Sequence, residues 1–225
     1  MRILAIDTAL ANCAAAVLDD SLDMPCYVET SEEVGRGHAE RLMAMIGEVM
    51  AESSTAFTDL DRVVVTTGPG SFTGLRVGLS VAKGFGLVLE KPVVGITTLA
   101  AIARHVASTG LDAPLLVALE GKQDEVYCQL FDTEGQPMDE AAVRKIGMLA
   151  DYLPQGTCVA GSAAVNVVQS LSALSARVVC EKGFPAIADV AHLGLVADPK
   201  LAVASPLYLR PPDATPQKKG RIERQ

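Results

Sequence analysis

The sequence predicts an α/β fold made of two duplicated lobes, and three observations support this prediction. Apolar runs typical of strands alternate with segments of helical periodicity, which favours a mainly parallel sheet covered by helices. The stretch 2–19 (RILAIDTALANCAAAVLD) aligns without a gap with 115–132 (LLVALEGKQDEVYCQLFD), so that Glu120 falls on Asp7. The 225 residues are 49% hydrophobic and 20% charged, enough for a buried core. Two unrelated β-hairpins would also explain the alignment, and an internal duplication is the sharper hypothesis.

The first half of the chain contains the longer predicted elements. A strand is predicted over 2–7, where an apolar run ends in an acid, and another over 13–18 after a short turn. Apolar residues at helical spacing predict a helix over 38–51, and a β-branched run predicts a strand over 61–67. The other elements predicted in this half are a strand over 22–30, a long helix over 71–89, a strand over 92–96 and a helix over 98–107.

The second half follows a linker over 108–114 (STGLDAP). Residues 211–225 contain three prolines and no apolar run, which predicts a flexible tail. The predicted division is therefore an N-terminal lobe over 1–108, a C-terminal lobe over 109–210 and the tail. Beyond the repeated strand pair, the elements predicted here are a strand over 157–160, a helix over 163–174, a strand over 177–180 and a helix over 186–196.

Charge and composition disfavour several classes of protein. Nineteen Lys and Arg against 27 Asp and Glu give a net charge of -8, whereas a free-standing nucleic-acid binder needs a basic surface. The absence of Trp and an aromatic content of 4% disfavour a base-stacking platform. The cysteine count is odd and no Cys-x-x-Cys occurs, which predicts reduced thiols; these cysteines are Cys13, Cys26, Cys128, Cys158 and Cys180.

No targeting or membrane segment is expected. The opening MRILAIDTAL lacks the pattern of a signal peptide. The most apolar long stretch, 74–89, contains Arg76, Lys83 and four glycines, so it is not predicted to span a membrane. We expect a soluble cytoplasmic protein.

The densest motif is GPGSFTGLR, between a predicted strand and a predicted helix. A glycine-rich turn in this position can hold an anion, because the first amides of a helix lack partners. The string matches neither G-x-x-x-x-G-K-[ST] nor G-x-G-x-x-G, so a structural turn is an equally good interpretation. The residues of this turn are Gly68, Pro69, Gly70, Ser71, Phe72, Thr73 and Arg76.

Two helices carry features expected of a contact between subunits. Along the long helix, small residues recur every fourth position and form one ridge without bulky side chains; they are Gly74, Gly78, Ala82 and Gly86. Such a ridge permits close approach of another backbone, either from a partner or from the protein's own sheet. The 38–51 helix is apolar over more than one stripe, with Met43, Met45 and Met50 beside Leu42, Ile46 and Val49. A wholly buried helix is the alternative.

Residues able to carry out catalysis are sparse. Asp7 and Thr8, after the first strand, would fit a vestigial nucleotide site, and the second copy has Glu120-Gly121-Lys122 without a phosphate-binding Gly-Gly-Thr. Gly161-Ser162 is an equally weak signal for a nucleoside. None of His38, His105 and His192 has a second histidine three or four residues away, so no helical metal pair exists. We predict no catalytic residue and no metal site.

With the string VVVTTGPGSFTGLRVGLSVAKGFGLVLEKPVVGITTL (63–99), the chain resembles the TsaB (YeaZ) family. The opening LAIDTA, the HAERLMAMI helix, EVY at 125–127 and PLYLRPPDA at 206–214 match the same family, so the resemblance covers nearly the whole chain. It implies an actin-like, Hsp70-like ATPase (ASKHA) fold. TsaD-like catalytic relatives carry a His-x-x-x-His pair after the glycine-rich helix, and GITTLAAIARHV here has none. Members of the family often have Asp-Ala-Arg before EVY, where this chain has Glu120-Gly121-Lys122. Because of this difference, the resemblance assigns no role to Lys122.

The resemblance implies a non-catalytic scaffold in the transfer of threonylcarbamoyl to the adenosine beside the tRNA anticodon. The implied partners are TsaD, in a heterodimer, and the ATPase TsaE, with a homodimer when the chain is alone. Contact with tRNA would occur only through the complex, ATP would be used by the complex, and the chain would have no cofactor of its own. A small-molecule kinase or ATPase of the same superfamily is the alternative. The interface residues predicted from the two helices are His38, Leu42, Met45, Ile46, Val49, Gly74, Gly78, Ala82 and Gly86.

Overall fold

Two five-stranded sheets form the frame of the protein. A computed structural model describes residues 1–21, 26–35 and 37–210. The predicted tail over 211–225 and the first part of the predicted third strand, 22–25, lie outside the described residues. No disulfide joins the five cysteines, all of which are among the described residues.

The first sheet combines antiparallel and parallel pairs. Its strands are β1 (Arg2–Asp7), β2 (Asn12–Asp19), β3 (Cys26–Glu33), β4 (Arg62–Gly68) and β5 (Val93–Thr97), in the order β3-β2-β1-β4-β5. The pairs β1–β2 and β2–β3 are antiparallel, and β1–β4 and β4–β5 are parallel. Short turns can join only antiparallel neighbours, whereas the helices that precede β4 and β5 allow parallel crossovers. The prediction of a mainly parallel sheet is therefore wrong, and the sheet is mixed.

The second sheet repeats the first. Its strands are β6 (Leu115–Glu120), β7 (Glu125–Phe131), β8 (Ala142–Lys145), β9 (Cys158–Ala160) and β10 (Arg177–Cys180), and their order β8-β7-β6-β9-β10 is that of the first sheet. Strand β6 begins and ends at the positions that align with the ends of β1, as the ungapped repeat predicts. The prediction of two duplicated α/β lobes is confirmed. Strand β8, with only four residues, was not predicted.

Helices cover both faces of each sheet. Helices α1 (His38–Glu52) and α2 (Phe72–Leu89) pack on one face of the first sheet, and α5 (Ile187–Val196) packs on its other face. Helix α3 (Thr98–Ala107) packs on one face of the second sheet, and α4 (Ala164–Ser170) packs on the other. Helices α3 and α5 therefore each follow a strand of one lobe and pack on the sheet of the other lobe.

Charged side chains hold α3 and α5 in these positions. Arg62 of β4 donates through Nη1 to the carbonyl oxygens of Gly194 and Ala197, at 2.6 and 2.8 Å, and so caps the C-terminal end of α5. Arg104, in the last turn of α3, pairs with Asp189 in the first turn of α5 at 2.5 Å. Each charge lies at the helix end that favours its sign, because the helix dipole is positive at the N-terminus and negative at the C-terminus.

A C-terminal strap, residues 202–210, returns along the first lobe. Its Ala202 carbonyl accepts from the Gly95 amide of β5 at 2.9 Å, and its Leu207 amide donates to the Thr67 carbonyl of β4 at 2.8 Å. The strap therefore covers part of the free edge of β5 and ends near the turn that precedes α2.

Helix α2 is long and apolar enough, by length and composition alone, to cross a membrane. Helices in the cores of soluble proteins pass the same test. One side of α2 packs on the first sheet, and 28% of the helix is buried.

Candidate functional site

The glycine ridge of α2 faces the protein's own sheet. A Cβ atom placed on Gly78 would lie 2.5 Å from Thr8 Oγ1, and one placed on Gly74 or Gly86 would collide with Thr8 or Val93. Ala82, the fourth member of the ridge, is wholly buried in the same core. The ridge therefore allows α2 to approach the end of β1, and the prediction that these four residues face a partner is wrong.

The predicted interface residues of α1 are also internal. Leu42, Met45, Ile46 and Val49 are buried between α1 and the first sheet. His38 is buried as well, and its Nε2 lies 2.9 Å from the Leu10 carbonyl oxygen, which accepts from it. The prediction of a partner interface on these side chains is therefore wrong. Together these side chains form the stripe that packs on the first sheet, because an amphipathic helix buries its most continuous apolar face against the core.

The opposite side of the two helices exposes apolar side chains. We call this surface the outer face, and its most exposed members are Leu87, Val88, Phe72 and Met43, with 81, 79, 55 and 51% of their surface accessible. Sequence reasoning named Met43 and Phe72 but assigned the contact to the wrong side of each helix. Part of the signal was present, because Met43 lies outside the stripe of α1 that packs on the sheet. The outer face consists of the exposed Met43, Phe72, Leu87 and Val88, together with three half-buried residues that also pack on the core and line the grooves described below, Val77, Val81 and Phe85.

Two shallow grooves run along the outer face. One, of about 460 Å³, lies against Phe72, Arg76 and Val81, and the other, of about 300 Å³, lies against Met43 and Phe85. The ring of Phe85 stacks on Phe57 with centroids 5.1 Å apart, which fixes one wall. Contiguous exposed apolar surface of this kind is typical of interaction sites.

The GPGSFTG turn is held by internal contacts. The Ser71 amide donates to the Ala9 carbonyl at 2.6 Å, and Gly70 packs so closely on Ala9 that a Cβ atom there would collide with it. The Ser71 hydroxyl accepts from the Gly74 amide and caps α2. Gly68 adopts a φ of 107°, in the left-handed region that favours glycine. These contacts use polar groups that a phosphate would need, and they support the interpretation of a structural turn.

The end of β1 is closed. The Asp7 side chain is fully buried, and its Oδ1 accepts from the Ala9 amide at 2.9 Å and from the Thr66 hydroxyl at 2.6 Å. Its Oδ2 has no hydrogen-bond partner among the described residues, and burial raises the pKa of this carboxyl group. The Thr8 hydroxyl donates to the Gly74 carbonyl at 2.7 Å. Because α2 lies directly over Thr8, and Asp7 is enclosed beside Thr66, neither residue fits a nucleotide phosphate or its metal ion.

The corresponding end of β6 contacts residues of the second lobe, to which it belongs. The Glu120 amide donates to the Ser162 hydroxyl at 3.0 Å, and Gly161 adopts a φ of 105° against the Ala118 carbonyl.

Of the histidines, His105 lies with Nδ1 3.1 Å from Asp189 and contributes to the contact between α3 and α5. Among the described residues, no group of three or more His, Cys, Asp or Glu side chains could hold a metal ion.

A family model described as TsaD, tRNA N6-adenosine threonylcarbamoyltransferase, matches residues 30–197. YeaZ from Pseudomonas aeruginosa is similar in structure, with a TM-score of 0.76 and 23% identity over 92% of this chain and 99% of that chain. A second Pseudomonas aeruginosa structure, described as similar to peptidase YEAZ, has the same TM-score and 24% identity, over 93% of this chain and 99% of that one. These structures share the fold of the two lobes described above.

Relatives at higher identity refine this placement. The Escherichia coli (strain K12) protein named tRNA threonylcarbamoyladenosine biosynthesis protein TsaB is 35% identical over 127 residues, which are 56% of this chain and 53% of that protein. The chain thus aligns with about half the length of this curated relative. An uncharacterised protein of Mycobacterium bovis is 33% identical over 218 residues, 95% of this chain and 94% of that protein.

The two-lobed α/β fold and the matched family model define the class, because the model covers well over half of the chain: the chain belongs to the TsaD family. Within that family, the chain is similar over about half its length to the Escherichia coli protein named TsaB, and its fold is similar to that of the YeaZ structures.

Proposed function

We propose that this chain is a non-catalytic scaffold subunit in the biosynthesis of threonylcarbamoyladenosine in tRNA. The relatives named TsaB support the pathway. The buried positions of Asp7 and Thr8 support the non-catalytic role, since catalysis requires groups that can reach a substrate. In this proposal the catalytic group for threonylcarbamoyl transfer belongs to a TsaD subunit, and this chain holds that subunit in its active arrangement.

The observation that carries the proposal is the outer face of α1 and α2. Burial of one large apolar side chain stabilises a complex by about 1.5–3 kcal/mol before the entropy of association is subtracted. Met43 and Val88 line one groove of this face, Phe72 lines the other, and the two grooves share Val81. A TsaD subunit covers this face in the working complex, and a second copy of this chain covers it when TsaD is absent, since a self-complementary apolar patch forms a two-fold dimer.

The remaining parts of the proposal concern the complex. The ATPase TsaE completes it and uses ATP, and this chain binds no cofactor of its own. Contact with tRNA occurs through the complex, because the net charge of -8 opposes direct binding to phosphates. The assembly works in the cytoplasm.

The test places one charge on the outer face. Met43→Glu buries a carboxylate without a partner in either complex, which costs several kcal/mol, so we expect roughly 100-fold weaker binding of TsaD by calorimetry. The same variant should elute as a monomer from a sizing column. The control is Met148→Glu, because Met148 is exposed on the second lobe to a similar extent, 62% against 51% for Met43. Wild-type affinity in Met43→Glu would contradict the proposed face.

A second measurement separates the scaffold from the alternative kinase or ATPase. Calorimetric titration of the isolated chain with ATP and magnesium should release no binding heat, because the side chains of Asp7 and Thr8 are both buried. Reconstituted tRNA modification should nevertheless require the chain. Nucleotide binding to the chain alone, with activity in the absence of TsaD, would refute the scaffold role.

A further inference from the structure

The strap connects the second lobe to the first turn of α2. At its end, Arg210 Nη2 lies 3.1 Å from Glu125 Oε2 at the start of β7. Two residues earlier, the ring of Tyr208 packs on the ring of Phe72 with centroids 5.5 Å apart and an angle of 31° between planes. The strap therefore brings together two sequence motifs, EVY and PLYLR, that are 80 residues apart and that the proposed function leaves without a role.

Phe72 is the first residue of α2 and a member of the outer face. More than half of its surface is exposed, so an isolated ring at this position would sample several rotamers. Two neighbours restrict it, because Tyr208 contacts the ring and the Arg76 guanidinium lies over it, 5.1 Å from its centroid. Of these two, Arg76 belongs to the same helix, whereas Tyr208 is supplied by the strap.

We propose that the strap is a clasp that positions Phe72 for partner binding. The second lobe holds the clasp through the ion pair of Glu125 and Arg210, and the clasp presents Tyr208 to the head of α2. Because Phe72 is ordered before the partner arrives, less conformational entropy is lost on binding. Tyr208 and Arg210 are positioning residues in this mechanism. The proposal rests on the proposed function for the identity of the partner, TsaD, but the ordering of α2 can be measured without it.

The ion pair is suited to removal without unfolding. About a third of Arg210 and a quarter of Glu125 are exposed, and no aligned hydrogen bond accompanies their contact. Partly exposed ion pairs contribute little to global stability. Because the contacting Oε2 atom of Glu125 is itself buried, the double variant of Glu125→Gln and Arg210→Gln, which removes both charges, should fold normally and release only the end of the strap.

The first experiment measures amide hydrogen exchange in the full chain without a partner. Tyr208→Leu keeps apolar volume but removes the ring contact, so exchange over residues 71–75 should become about tenfold faster while exchange in the second sheet is unchanged. Arg210→Gln should give a smaller increase in the same region, of roughly threefold. The matched controls are Tyr27→Leu on β3 and Arg177→Gln on β10, which lie outside the strap and should leave residues 71–75 unchanged.

The second experiment measures affinity for TsaD. Tyr208→Leu should weaken binding by about tenfold with a nearly unchanged melting temperature. The double variant of Glu125→Gln and Arg210→Gln should be no weaker than either single variant, because both remove the same contact. Unchanged exchange over 71–75 together with wild-type affinity in Tyr208→Leu would overturn the clasp. If the wild-type chain does not bind TsaD, the proposed function fails, and the exchange experiment still decides the clasp.

Discussion

Replacement of Gly78 by alanine tests the internal role of the glycine ridge. The new Cβ atom would lie 2.5 Å from Thr8 Oγ1 and 3.5 Å from Val65 Cγ2, so the Thr8 side chain has to move. That movement breaks the 2.7 Å hydrogen bond from the Thr8 hydroxyl to the Gly74 carbonyl, inside the core. A partner-facing ridge, in contrast, would leave the isolated protein unstrained.

The expected magnitude follows from three contributions. Overpacking costs about 1–3 kcal/mol, and a buried carbonyl that loses its donor costs about 1–3 kcal/mol. Alanine in place of glycine stabilises a helix by about 1 kcal/mol. The middle of these ranges is a net loss of about 3 kcal/mol, which lowers the melting temperature of a chain of this size by about 6–12 °C.

The assay is thermal unfolding followed by circular dichroism. The matched control is Gly84→Ala in the same helix, because a Cβ atom at Gly84 meets no atom within 4 Å. In this control only the higher helix propensity of alanine acts, so the free energy of unfolding should rise by about 1 kcal/mol. The control should therefore melt about 2–4 °C higher than the wild type. If Gly78→Ala also melts at or above the wild-type temperature, the reasoning about the ridge is refuted.

Two further predictions concern buried charged groups. Arg62→Met should lower the free energy of unfolding in urea by about 3 kcal/mol, because the carbonyls of Gly194 and Ala197 lose charge-assisted hydrogen bonds, and no change would contradict the capping role. For Asp7, burial raises the folded pKa above its ordinary value of 3.8, so the folded state retains a proton that the unfolded state releases, and stability falls as the pH rises through this window. Asp7→Asn should therefore gain stability relative to the wild type as the pH rises above about 4, and a pH-independent difference in melting temperature would show that Asp7 does not titrate this way.

Several features of the fold follow from local sequence pattern. Strand β1 over 2–7, helix α3 over 98–107 and strand β10 over 177–180 have the predicted bounds. The ungapped alignment of 2–19 with 115–132 predicted the duplication, because equal spacing of apolar residues and acids produces equal strands. The predicted helix over 163–174 is instead the shorter α4, over Ala164–Ser170, followed by a separate short 3₁₀ helix. Boundaries of this kind depend on packing that propensity does not include.

Sheet direction and helix placement required the three-dimensional structure. Alternation of strands and helices is compatible with parallel and mixed sheets, and the hairpin connections of β1, β2 and β3 decide between them. The exchange of α3 and α5 between lobes depends on contacts between residues far apart in sequence. Asp189 and Arg104, which fasten that exchange, are 85 positions apart.

By itself, the sequence determined that this is a duplicated α/β chain with two apolar helices and few groups able to carry out catalysis. The tertiary structure alone decided which side of each helix is free. Helix α2 carries apolar residues outside its buried ridge as well as polar ones such as Arg76 and Lys83, so a four-residue repeat identifies a ridge without saying what lies against it. The ridge faces inward because only residues without large side chains fit over Thr8, and the bulkier Phe72, Val81 and Phe85 are thereby left on the outer face.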